Sequence, residues 1–260
     1  MIPGMLKKKI DNLYNQYNRR RYVHPDPLEF LYSYKDLRDR EVVGLIASSL
    51  AYGRVKQILK SVSYVLDIMN PSPYQFLMNS NYMSMYKAFE GFTHRFATGD
   101  HLAALLWEIK SVIARFGSLN ECFIYCMSPD DETVIPAMTF FAGQLTSGEY
   151  KPGHLVPLPE KGSACKRMNL FLRWMIRKDK VDPGGWQDVP WSKLIVPLDT
   201  HMHKISLKLG LTTRKHPNMR TALEITSSFK QLNPDDPVKY DFVLTRLGIR
   251  DDMDMKLIYP

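Results

Sequence analysis

Apolar residues recur at three- and four-residue spacing along most of this chain, a period that suits helices and little else. Leu6, Ile10, Leu13 and Tyr17 follow it, and Leu28, Phe30, Leu31 and Tyr34 open a second stretch after Pro25 and Pro27. Asp39 reads as an N-cap for a run through Val42, Val43, Leu45, Ile46 and Leu50, which stops where Gly53 can take the positive φ of a C-cap. Further helices are expected over 55–69, after Pro71 and Pro73, from an Asp100 cap through HLAALLWEIKSVIARF, and from Pro129 to Leu145. The last are expected over 163–177, 200–209, 219–232 and 237–247, with 146–161, rich in glycine, proline and charge, as a loop. No alternating β-branched run lies between hairpin turns. The expectation is an all-α fold of about ten helices.

Several classes of function drop out. No stretch approaches eighteen apolar residues, so no membrane span or membrane partner is expected, and the lysine-bearing start lacks the apolar core of a signal peptide. A cytoplasmic monomer follows by default. Cys122, Cys126 and Cys165 cannot make a disulfide framework, and they are too few and too scattered for a zinc site or an iron–sulfur cluster. The net charge of +8 attracts polyanions, although many basic proteins never meet nucleic acid.

The most informative segment is Leu158-Pro-Glu-Lys161-Gly162-Ser163-Ala164-Cys-Lys166-Arg167-Met-Asn169-Leu-Phe-Leu. A turn bearing Gly162 feeds a helix N-terminus, whose free N–H groups favour anionic oxygens. Ser163 and Ala164 keep the approach open, and Lys161 and Arg167 add positive charge. The same segment also suits an ordinary loop between helices with solvated lysines. Lys166, about one turn into the expected helix, has Met168, Leu170, Phe171, Leu172 and Trp174 around it. Partial desolvation there would free the amine as a nucleophile, whereas a snorkelling lysine would keep its head in water.

A second segment, Leu198-Asp199-Thr-His201-Met-His203-Lys-Ile-Ser-Leu-Lys-Leu-Gly210-Leu, places Asp199 as the N-cap of a helix that Gly210 ends. Capping alone accounts for an aspartate here, yet a carboxylate held by backbone N–H groups is also what a catalytic anion requires. A metal site at Asp199, His201 and His203 is disfavoured, because residues i and i+2 on a helix point about 200° apart.

Together the two segments resemble the helix-hairpin-helix (HhH-GPD) DNA glycosylase superfamily, which includes endonuclease III and the archaeal 8-oxoguanine DNA glycosylases. Gly162-Ser-Ala-Cys-Lys166-Arg-Met-Asn169 follows the family's G-x-x-x-K-x-x-N hairpin, and Leu198-Asp199-Thr-His201 through Leu209-Gly-Leu211 follows its VDTHxxRxxxRLGL. The resemblance makes Lys166 the catalytic lysine and Asp199 the catalytic aspartate. The stretch from Glu41 to Val55 resembles the early helix and turn that carry a wedge into the duplex, giving Arg54 that role or a phosphate contact. The segment from Asp241 to Ile249 resembles the family's last helix. The chain departs from the pattern in a hairpin two residues longer, in Ala164 for the second glycine, in an insertion over 178–196, and in lacking the cluster cysteines.

The resemblance implies a two-lobed helical fold with a central cleft, lobes of 55–195 (hairpin about 158–177) and of 1–54 with 196–260 forming one unit over 1–260. It implies a base-excision repair enzyme that flips a damaged base, an oxidised purine such as 8-oxoguanine foremost, out of double-stranded DNA, removes it and nicks the strand through a lysine Schiff base. Gly162, Ser163, Ala164, Lys161, Arg167, Arg54 and His201 would contact DNA. Trp174, Trp186 and Trp191 are candidate stacking surfaces for the base, though any one of them also suits a core. No cofactor is required and no iron–sulfur cluster is expected, while a monovalent cation at the hairpin is allowed. The alternative is a DNA-binding or damage-sensing protein on the same scaffold without catalysis.

Overall fold

A computed structural model describes residues 3–249, and these form an all-α fold in which most expected helices are present, the stretch after Pro25 and Pro27 being a 3-10 helix, Pro27–Ser33. The ends of the expected unit, residues 1–2 and 250–260, lie outside the described residues. The helices are α1 (Pro3–Tyr17), α2 (Leu37–Ser49), α3 (Val55–Ile68), α4 (Pro73–Asn79), α5 (Tyr82–Ala88) and α6 (Gly99–Phe116). They continue as α7 (Leu119–Ile124), α8 (Ile135–Gln144), α9 (Lys166–Ile176), α10 (Thr200–Leu209), α11 (Met219–Leu232) and α12 (Asp241–Ile249). A two-residue hairpin, β1 (Thr93–His94) and β2 (Ala97–Thr98), is antiparallel with His94 opposite Ala97. No helix among the described residues is long and apolar enough to cross a membrane.

The caps correct several expected boundaries. Asp36, not Asp39, starts α2, its carboxylate accepting the Arg38 N–H at 2.8 Å. Asp39 lies in the first turn and reaches to the cap of α4 instead, accepting from Ser72 Oγ at 2.6 Å and Tyr74 N at 2.9 Å. Two acids three residues apart compete for one role, and the first of them meets the N–H that needs a partner. Likewise Thr98 stands at the N-cap of α6 and Asp100 falls within its first turn. The expected helix from Pro129 starts only at Ile135, since 129–134 is taken up by a turn in which Asp131 accepts the Ser128 N–H at 2.8 Å.

The chain divides into two compact units, one made of its two ends, Met1–His24 and Pro159–Pro260, and one of Pro25–Leu158. These divisions fall after 24 and 158, where the resemblance puts lobe boundaries after 54 and 195. In the Pro25–Leu158 unit α6 is the spine, burying Leu102, Leu105, Leu106 and Ile109. Glu41 of α2, itself buried, accepts the N–H groups of Leu119 and Asn120 and so caps α7 from a distance.

The entry to α6 is tight. A Cβ on Gly99 would lie 2.2 Å from the Phe89 carbonyl oxygen, a backbone atom that cannot swing aside. Gly99→Ala is therefore expected to destabilise the protein by about 1–3 kcal/mol, the usual size of an overpacking penalty. A variant melting within a degree of the parent would show that α5 and α6 yield more easily than this.

Candidate functional site

Lys166 and Asp199 both belong to the unit built from the chain's ends. A 3-10 turn, Pro159–Lys161, leads into Gly162 at φ 74°, a left-handed conformation that glycine accepts without steric cost. The Gly162 N–H donates to Pro159 O at 2.9 Å and its carbonyl accepts the Met219 N–H at 3.2 Å. Ser163 then bridges to Asn218 in an isolated antiparallel pair. Cys165 is left-handed too, at φ 46° and ψ 38°, which costs an L-residue roughly 1–2 kcal/mol. That strained, buried residue breaks any helix begun earlier. Lys166 is thus the first residue of α9 rather than a residue one turn in.

On the opposite side the buried Leu198 delivers extended backbone to Asp199, the N-cap of α10. Its two oxygens face different partners. Oδ1 accepts the Met202 N–H at 2.8 Å, and Oδ2 lies 3.9 Å from Lys166 Nζ. The separation exceeds a hydrogen bond but is within ion-pair range, across 33 positions of sequence. Side-chain exposures of 33% for Lys166 and 19% for Asp199 leave both within reach of solvent. The amine and the carboxylate therefore meet at a partly open surface where the N-termini of two helices converge.

Other expected contacts fare unevenly. Of the three hairpin residues expected to offer N–H groups, Gly162 has its own engaged by Pro159, Ala164 is buried, and Ser163 is exposed. Lys161 and Arg54 are exposed, Arg54 at the start of α3 in the other unit, and Arg167 is half-buried. His201 is exposed with its ring against α12, where a Cβ on Gly248 would come within 3.0 Å of Nδ1. His203 turns away, its Nε2 2.8 Å from Arg214 O, so the two histidines do not converge. Trp174 and Trp186 correct the stacking expectation. They are 0% and 1% exposed, with Trp186 edge-on to Phe171, so neither offers a face to an incoming base. Trp191 is 36% exposed, but it donates its indole N–H to Ile176 O at 3.0 Å and has Arg177 over its ring.

Behind the pair lies a feature the sequence reading missed. Lys166, Asn169 and Arg173 of α9, spaced i, i+3 and i+7, lie on one helix face, and Arg177 at its C-cap continues the series. All but Lys166 are buried. Arg173 pairs with Asp182 at 3.2 Å and, at close range, with Asp241. Arg177 pairs with Asp179 at 3.0 Å, Asp236 at 2.8 Å and, again at close range, Asp182. Tyr14 of α1 and Asn18, just past its end, donate to Asp179 at 2.9 and 3.0 Å, tying that helix to this ladder. The available signal was an arginine pair on a helix whose other positions, Met168, Phe171, Leu172, Trp174 and Met175, are apolar nearly all round. A buried arginine needs a buried anion.

A family model for proteins of unknown function, DUF2400, matches residues 26–250. The chain belongs to this family. The match takes in the hairpin, Lys166, Asp199 and the partners of Arg173, and leaves α1 outside. No curated protein and no solved structure matches the chain significantly.

Proposed function

We propose that this DUF2400 protein is a DNA glycosylase with an associated AP-lyase activity. The observation that carries the reading is the approach of Lys166 Nζ to within 3.9 Å of Asp199 Oδ2, with the aspartate's other oxygen fixed by its helix. A nucleophilic amine beside an oriented carboxylate suits chemistry at a sugar carbon that becomes cationic. The lysine, in its free-base form, attacks C1′ of a flipped nucleotide; the C1′–N bond breaks, and the base leaves with its electron pair and takes up a proton. The Asp199 carboxylate stabilises positive charge on the sugar during that step. Loss of the amine proton and ring opening give a Schiff base, and β-elimination then breaks the C3′–O bond. The net charge of +8 and the exposed Lys161 and Ser163 suit a phosphate backbone beside the site. An oxidised purine such as 8-oxoguanine is the favoured lesion by the resemblance to the archaeal enzymes.

Borohydride reduction tests this directly. Wild-type protein mixed with duplexes bearing 8-oxoguanine, an oxidised pyrimidine or an abasic site is expected to yield a covalent protein–DNA adduct, and Lys166→Ala none. An adduct of undiminished yield in Lys166→Ala removes the assigned nucleophile. Binding to abasic DNA with no adduct from any duplex favours the non-catalytic reading.

A further inference from the structure

The buried ladder behind the candidate site is unbalanced. Two guanidiniums, Arg173 and Arg177, pair with four carboxylates, Asp179, Asp182, Asp236 and Asp241. Asp241 lies within electrostatic range of Asp199. It is the first residue of α12, which packs on α10, the helix that Asp199 caps. It is 2% exposed; Oδ2 is held by Arg173, while Oδ1 is buried with no hydrogen-bond partner among the described residues. A carboxylate oxygen left bare in a protein interior is costly, and it persists where its charge has a use.

We propose that Asp241 is a positioning residue for the Lys166–Asp199 pair: clamped by Arg173, it sets a second negative charge within range of Asp199 and so strengthens the hold of the site on positive charge at the reacting sugar carbon. The inference rests on the reading of that pair as catalytic. The charged groups around Asp241 are Arg173 from α9, Asp182 from the segment after α9, and Asp199 from the start of α10. On the α1 side Asp11 is matched by Lys239 and Tyr240, and His201 lies further along against Gly248. Burial pushes the Asp241 carboxyl up, Arg173 pulls it back, and the charges of Asp199 and Asp182 raise it again, to about 6. Below that pH the proposed charge is absent; above it the charge is present. In wild type, adduct formation is therefore expected to weaken as the pH falls through about 6.

Asp241→Asn keeps an oxygen for Arg173 and removes the charge at every pH. Single-turnover trapping on abasic duplex from pH 5 to 8 is expected to lose its inflection near 6 and to run about 5–10-fold slower at pH 7.5, as expected if a nearby charge changes the barrier by about a kcal/mol. Asp241→Glu, with the charge retained one methylene away, should recover part of the rate, which a purely packing role does not explain. A second readout is independent of DNA. With 13C-labelled aspartate carboxyls, the Asp241 resonance is expected to titrate at about 6 in wild type and to move lower in Asp199→Asn, which removes the charge that raises it. If Asp241→Asn does not fold, Asp241→Ser serves the same comparison. A folded Asp241 variant with the wild-type inflection, together with an Asp241 titration that Asp199→Asn leaves unmoved, overturns the inference. Absence of any wild-type adduct, with the Asp241 titration nonetheless displaced by Asp199→Asn, overturns the glycosylase reading alone.

Discussion

Replacing Arg177 with methionine is expected to cost about 3–5 kcal/mol of stability and to lower the melting midpoint by roughly 10 °C. The guanidinium is 2% exposed and faces three carboxylates, of which Asp182 is itself fully buried. Removing it leaves buried anions without their counter-charge, a far larger loss than that of a surface pair. The pH dependence distinguishes this from simple loss of packing. In wild type, burial pushes the Asp179 carboxyl up, but the Arg177 charge, two backbone N–H bonds and the Tyr14 hydroxyl leave it lowered, so its contribution is lost only as the pH falls below the ordinary carboxylate range. In the variant the Asp179 carboxyl keeps its burial but loses the Arg177 charge, so its folded-state pKa lies above its unfolded one. The native form then binds more protons, and stability rises as the pH is lowered from 7 to 5. Denaturant melts at the two pH values measure both effects. A loss under 1 kcal/mol, or one that grows toward pH 5, would contradict the ladder.

The second large effect is at Asp199, where two substitutions separate structure from chemistry. Asp199→Asn retains an oxygen for the Met202 N–H, so α10 keeps its cap and the protein its stability to within a few tenths of a kcal/mol. Its turnover is nonetheless expected to fall about 10²–10⁴-fold, because the side chain facing Lys166 no longer carries charge. Asp199→Ala loses both, with about 1 kcal/mol of stability in addition. Rates on abasic duplex, set beside melting curves, give the comparison. If Asp199→Asn turns over at the wild-type rate, the aspartate is a cap and nothing more.

The helices were legible because their apolar spacing is local, and the expected 219–232 became α11 without a residue's change. The pairing of Lys166 with Asp199 was legible only through the resemblance, since no periodicity links positions 33 apart. Capping was harder to read. Asp36 and Asp39 carry the same side chain, and only the geometry of the first turn decides which meets a free N–H. Nor could composition show that Cys165, an ordinary helix-compatible residue, would turn left-handed and make Lys166 the start of α9. The ladder was the least legible part. Arg173 meets Asp241 across 68 positions and Arg177 meets Asp236 across 59, distances at which any of the chain's 27 acidic residues might have served.

The discontinuous unit has a consequence for synthesis. A ribosome completes Pro25–Leu158, which has its own core, before any of α9 to α12 exists. Helix α1 is made well before its partners: Tyr14 waits 165 residues for Asp179, roughly 8–30 s at about 5–20 residues per second. For that interval Leu6, Ile10 and Leu13, buried in the finished protein, are nascent apolar surface without a home. Helix α1 is thus the natural hold for a chaperone, and removing α9 to α12 should strand it there.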